Sequence, residues 1–131
     1  MIRLKRIYEP ATREDGERYL VERLWPRGVT RGAARLTAWL KDVAPSPALR
    51  RWYGHDPKRW AEFRRRYVAE LRAPEKRQLL RCLAEAARRG TVTLIFAARD
   101  LEHNSALVLR DCLKRSGTSD GRVRRVGKGK S

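Results

Sequence analysis

Apolar positions follow one of three patterns along this chain: strict alternation, helical spacing, or an unbroken run. The unbroken run is Thr91-Val-Thr-Leu-Ile-Phe-Ala-Ala-Arg-Asp100, which stops abruptly at an Arg-Asp pair. A strand that is apolar on both faces is normally buried on both, as the central strand of an α/β sheet is. Alternation marks two further strands. Ile2 and Leu4 alternate with Arg3 and Lys5 up to Tyr8, where Glu9-Pro10 intervenes, and Arg18 to Leu24 follows the Asp15-Gly16 turn. The short link between them makes a hairpin the simple reading, with a parallel pair left open. Trp25-Pro26-Arg27-Gly28 closes the second strand.

Helical spacing occupies most of the rest. Leu36, Trp39, Leu40 and Val43 predict a short helix that Pro45-Ser46-Pro47 breaks. Ser46 then caps a brief turn through Tyr53, with Pro47 at its first position. Asp56-Pro57 repeats that start signal more strongly, and Trp60, Phe63, Tyr67 and Leu71 fall on one stripe behind it. Arg64 lies at the stripe's edge, while Arg59, Arg65, Arg66 and Arg72 face water. Pro74 opens a helix with Leu79, Leu80, Leu83, Ala86 and Ala87 inward and Gly90 as terminator. A last helix, about Asn104 to Lys114, follows the buried strand and buries Val108, Leu109, Cys112 and Leu113.

These elements predict an α/β fold: one small, mainly parallel sheet covered by helices, with an antiparallel edge at residues 2–8 as an option. One domain is expected over residues 1–115. From Ser116 the apolar period disappears, and residues 116–131 carry five basic groups against one acidic, which predicts a disordered basic tail.

Charge changes the picture more than composition does. The formal net charge is +17, which points to a polyanionic partner such as nucleic acid. Against this, Arg supplies 25 of the 32 basic residues beside abundant Ala, as a GC-rich coding bias would produce. The excess is also spread evenly, with 16 basic and 8 acidic groups over residues 1–65 and 16 and 7 over residues 66–131. No apolar run approaches the roughly 20 residues of a membrane span, and the first residues lack a signal-peptide core, so a cytoplasmic protein without a membrane partner is expected. Cys82 and Cys112 have neither CxxC spacing nor paired histidines. They are expected as small core hydrophobes, with no metal site and no cofactor.

Candidate chemistry gathers at strand ends, where open α/β sheets bind ligands. Arg23 is the charged last member of a row with Tyr19 and Val21, and Trp25 and Arg27 continue beyond it. If strands 18–24 and 91–97 are parallel, these residues meet Arg99, Asp100, His103 and Asn104. Guanidinium groups grip phosphate or carboxylate through paired hydrogen bonds, and an indole offers a stacking face. The competing structural reading is an Arg23–Asp100 ion pair with Trp25 in the core. His55 and His103 are the candidate proton carriers if there is catalysis. Asp56 and Asn104 also suit helix caps, and Ser105 lacks the context of a nucleophile.

Three ordered motifs carry a family resemblance: RLWPRG at 23–28, HDPKRWAEFRRRYVAEL at 55–71 and TLIFAARDLEHNSALVL at 93–109. Over residues 2–115 the chain resembles the YeaO-like branch of the family called domain of unknown function 488. The resemblance implies a compact single-domain α/β protein and no established activity. It also implies cysteines in many relatives where this chain has Phe96 and Asn104, and a second histidine where it has Ser105. Thiol or metal chemistry in those relatives therefore does not carry over.

The expected function is recognition of a small anionic, phosphate-containing ligand at the strand ends. Arg23, Arg27 and Arg99 would hold the anion, Trp25 would stack, and Asp100 would orient an arginine. The alternative is a non-enzymatic DNA- or RNA-binding module that uses the arginines of helix 57–72 and the tail. The sequence leaves the oligomeric state and the ligand's identity open.

Overall fold

The computed structural model describes the backbone of residues 1–125 and the side chains of residues 1–115. Four strands form one parallel sheet: β1 (Ile2–Arg6), β2 (Glu17–Leu20), β3 (Ala38–Trp39) and β4 (Val92–Phe96), in the order β1-β4-β2-β3. All five residues of β4 are buried, as its two-faced apolar run requires.

The hairpin does not form, and the edge at β1 is parallel, because β1 and β2 flank β4 instead of pairing with each other. The link from Ile7 to Gly16 can reach roughly 33 Å when extended, about twice the length of a five-residue strand, so it returns the chain without a helix. Backbone bonds hold both its ends, Ile7 N–H to Phe96 O at 2.8 Å and Glu17 N–H to Thr91 O at 3.0 Å.

Strand β2 is also shorter than residues 18–24. Val21 still donates to Ile95 O at 3.0 Å, but the Ala97 amide, further along, donates to the Glu22 carboxylate at 2.9 Å. A side chain thus takes the bond that a longer ladder would have used.

The helix predicted over 36–43 is absent. Instead α1 (Arg31–Ala34) starts at a Thr30 cap, ends at Arg35 with φ 48°, and gives way to β3 and a 3-10 turn at Lys41–Val43. Leu36 and Trp39 pack on one side of the sheet while Leu40 and Val43 pack on the other. Their spacing imitates a helical stripe, yet the four share no face.

The later elements match the reading in order and in where they start, but the last helix continues to Arg125, past its expected end near Lys114. They are α2 (Pro47–Tyr53), a 3-10 turn at Pro57–Arg59, α3 (Trp60–Leu71), α4 (Pro74–Arg89) and α5 (Ser105–Arg125). Ser46 caps α2, the Asp56 carboxylate accepts from Lys58 N–H, and Asn104 caps α5 by accepting from Leu107 N–H. The tail expected from residue 116 has its side chains outside the described residues.

Phe63, Tyr67, Leu71, Leu83, Leu109 and Leu113 of α3 to α5 pack on Val92, Leu94 and Phe96, which makes the main core. A smaller core lies on the opposite face, where Ile7, Leu20, Ala34 and Ile95 meet Trp25, Val29, Leu36 and Trp39. That face also carries a charge cluster. Asp15 is fully buried and accepts from Arg18 at 2.6 Å, from Lys5 at 3.0 and 3.1 Å, and from Thr12 N–H at 3.0 Å. Burial would push its pKa up, but the Thr12 amide and the two cations outweigh burial and hold it well below the carboxylate range.

The cysteines depart from expectation, since Cys82 is exposed and Cys112 only half-buried. Position 82 lies beside the α4 stripe instead of within it. No helix among the described residues is long and apolar enough to cross a membrane.

Candidate functional site

Parallel pairing of β2 with β4 brings their carboxyl ends together, and a cleft of about 250 Å³ opens there. Glu22, Arg50, Tyr53, His55, His103 and Asn104 line it, with Ala97, Ala98 and Ser105 beside them. These residues come from three places: the end of β2, the α2 region and the β4–α5 junction.

Glu22 holds the floor. One carboxylate oxygen accepts the Ala97 N–H at 2.9 Å, and its backbone carbonyl accepts the Trp39 indole N–H at 2.6 Å. Desolvation raises the Glu22 pKa above the ordinary value, while the Ala97 amide and the charges of Arg50 and His55 pull it down.

The aromatic wall is built from the α3 stripe. Tyr53 stacks on Phe63 at 4.4 Å and Trp60 on Phe63 at 5.7 Å, and His103 meets Trp60 edge-on at 5.4 Å. The Tyr53 hydroxyl donates to His103 O at 3.1 Å, which ties α2 to the loop before α5. Burial, followed by the nearby Asp100 and Asp56 charges, raises the Tyr53 pKa, so it stays a neutral donor.

His103 is oriented by a neighbour. Its Nδ1 lies 2.9 Å from Asp100, whose carboxylate also accepts the Glu102 and His103 amides at 2.9 and 3.1 Å. Those contacts, the Glu102 amide first, lower the Asp100 pKa. An Nδ1–H donated to Asp100 leaves Nε2 as the ring's other hydrogen-bonding atom. His55 is presented differently, from a left-handed backbone position at φ 58° directly after Gly54 at φ 52°. A non-glycine residue held there stores backbone strain, and such strain concentrates at sites that bind or react.

The cleft therefore takes His55, His103 and Asn104 from the expected set, and Asp100 joins through His103. Arg23 turns instead to the Ala44 and Pro45 carbonyls at 3.2 and 3.4 Å, with Asp42 at 3.8 Å, so the Arg23–Asp100 pair does not form. Its Nε is buried without a hydrogen-bond partner among the described residues. Trp25 donates to Val29 O at 2.7 Å, packs edge-on against Trp39 at 5.4 Å and lies under Arg31 at 4.2 Å. It belongs to the smaller core. Arg27 and Arg99 are exposed, and neither lines the cleft.

Glu22, Arg50 and Tyr53 were missed from sequence. Glu22 carried a usable signal, a lone carboxylate between Val21 and Arg23 at the strand's end, whereas Arg50 and Tyr53 reach the cleft only through the docking of α2. Among the described residues no three His, Cys, Asp or Glu side chains group to hold a metal ion.

Comparison with known proteins gives one family. The family model DUF488-N3i, described as the inactive DUF488-N3 subclade, matches residues 1–125. The chain is 40% identical over 113 residues to "Uncharacterized protein YeaO" of Escherichia coli (strain K12), covering 86% of this chain and 96% of that protein. It is 41% identical over 112 residues to "Uncharacterized protein Rv3073c" of Mycobacterium tuberculosis (strain ATCC 25618 / H37Rv), covering 86% and 92%. No solved structure matches.

Proposed function

From the premise that the chain belongs to the inactive DUF488-N3 subclade, we propose that it binds a small anionic ligand without transforming it. The site is the cleft at the carboxyl ends of β2 and β4, and the ligand carries a phosphate or carboxylate group. The observation that carries this reading is the convergence of Arg50, His55 and His103 on one cleft beside the start of α5. A guanidinium offers a fork to two oxygens, and the imidazoles add single donors. The positive end of the α5 macrodipole favours the same charge.

Glu22 sets the terms of binding. An anion above its carboxylate favours the protonated form, which then donates to the ligand, so binding takes up a proton. Recognition is favoured over turnover by two features. Both cysteines lie on a different groove, lined by α4 and α5, and two positions where the resemblance implies a thiol or imidazole in relatives are Asn104 and Ser105 here.

The test is calorimetric titration with inorganic phosphate, nucleoside monophosphates and small dicarboxylates at pH 6 and pH 8. Arg50→Ala and His103→Ala are expected to weaken the best ligand at least about tenfold, with wild-type affinity higher at pH 6. Equal affinity in both variants, or a ligand held by Arg99 instead, would sink the proposal.

A further inference from the structure

A larger groove of about 820 Å³ lies away from this cleft, between the end of α3, the length of α4 and the first turns of α5. Arg72, Arg77, Arg81, Arg88, Arg89 and Arg115 line it, and all six are exposed. Among the described residues its one acidic lining residue is Glu85, which pairs with Arg88 and lies 3.7 Å from Arg89. Arg81 bonds the neutral Gln78 at 3.1 Å, and among the described residues Arg115 bonds the Cys112 sulfur at 3.8 Å. Among the described residues, Arg72 and Arg77 have no carboxylate partner.

The arginines of α3 and of the turn before it behave differently. Arg64 pairs with Asp111 at 3.3 Å, Arg65 and Arg66 pair with Glu62, and Arg59 bonds the Trp52 carbonyl. Arg72, just past the end of α3, turns its charge to the groove instead. On the surface of α3 and α4, the arginines without a carboxylate partner among the described residues are therefore those at the groove, Arg72, Arg77 and Arg81.

We propose that this groove binds a single strand of nucleic acid through its phosphates. Arg77, Arg81 and Arg88 follow one face of α4 and span about 16 Å at 1.5 Å per residue. A stacked strand rises about 3.4 Å per nucleotide, so the row serves four or five phosphates. The floor consists of Val68, Leu71, Leu80, Ala84 and Cys112 and offers no aromatic face. Bases gain nothing by stacking on it. The strand lies phosphate-inward, and recognition is independent of sequence. A duplex is wider than a groove between neighbouring helices, and it would reach only the rim.

The test uses fluorescence anisotropy with labelled dT20, a 20-base-pair duplex and a poly-glutamate peptide, each at several salt concentrations. For four or five phosphates, dT20 affinity should fall with salt at a log–log slope of about −3. The triple variant Arg72→Gln, Arg77→Gln, Arg81→Gln removes only exposed side chains, and it should weaken dT20 at least about thirtyfold and flatten that slope. Arg13→Gln, Arg27→Gln, Lys58→Gln removes the same charge elsewhere and should cost less than about threefold. Exposed Cys82 lines the groove, so bound dT20 should slow its alkylation by iodoacetamide several-fold. Equal losses in the two triple variants would overturn the proposal in favour of bulk charge. Tighter binding of the duplex would overturn the single-strand assignment. Tighter binding of poly-glutamate would make the groove a site for an acidic protein segment.

Discussion

Asp15→Asn isolates the charge of the buried cluster with little change in shape. The asparagine can still accept the Thr12 amide, but Arg18 and Lys5 lose their counter-charge. Removing one partner of a buried ion pair costs about 3–5 kcal/mol, chiefly from the charge left behind. Two details place this case near the lower end. Arg18, whose side chain is 4% exposed, keeps two bonds to Ala34 O at 3.1 and 2.8 Å, and Lys5 at 12% can swing toward water. The expected loss is therefore about 3 kcal/mol, a large share of the roughly 5–15 kcal/mol that holds a domain together. With a urea slope of about 1.5 kcal/mol per molar, the unfolding midpoint should fall by about 2 M.

The pH dependence supplies a second check. The folded pKa of Asp15 lies below its unfolded value, so its stabilisation is fully present above the unfolded value near 3.8. It disappears only as pH falls through the lower, folded value. Wild type and variant should therefore differ by a constant amount from pH 8 to pH 5 and converge below pH 4. A loss under about 1 kcal/mol, or a difference that changes between pH 5 and 8, would refute the reasoning.

The half of the fold from α2 to α5, with β4 between α4 and α5, was legible because each signal there is local. Ser46 and Asp56 start their elements, each followed by proline, the Phe63-Tyr67-Leu71 stripe is buried as spaced, and the 92–96 run sits at the sheet's centre. The first forty residues were harder, since their order depends on β4, which lies far along the chain. Nothing near Ile2–Tyr8 reveals that its partner is Val92–Phe96 and not Arg18–Leu20. Asp15 read as a turn residue for the same reason, as its burial comes from Lys5, Arg18 and Thr12 closing around it.

The location of the cleft was legible, because strand ends in a parallel sheet converge whatever the side chains are. Its lining was only half legible. His55, His103 and Asn104 follow helix starts that the sequence marks, but Arg23 was misread because its neighbours in the row are apolar. The Ala44 and Pro45 carbonyls, brought in by the 3-10 turn at Lys41–Val43, take one of its terminal nitrogens and turn it away from Asp100. Arginine content likewise could not show that Arg64, Arg65 and Arg66 of α3 all pair with carboxylates while Arg77 and Arg81 of α4 have none among the described residues.

Three further perturbations test the packing and the cleft. Gly16 has φ 62°, and a Cβ there would lie 2.2 Å from Thr91 O, so Gly16→Ala should lower the melting temperature by about 10 °C or more; an unchanged melt would mean the β2 start is misplaced. Phe63 is 2% exposed, so Phe63→Ala should cost about 3–5 kcal/mol in urea unfolding, and the half-buried Trp60→Ala visibly less. Equal losses would contradict the stripe's depth. Glu22→Gln should not destabilise the fold, since a neutral amide oxygen can still accept the Ala97 N–H and burial disfavours the carboxylate. The raised pKa means that ionised Glu22 opposes folding, so wild type loses stability as pH rises from the unfolded value near 4.5 through the folded one. The same ionisation opposes a bound anion. Wild-type affinity for the ligand should fall as pH rises through that window, while Glu22→Gln binds at least as tightly and loses this component of the pH dependence. Measured from pH 5 to 8 by calorimetry, an unchanged pH profile in Glu22→Gln would remove Glu22 from the site.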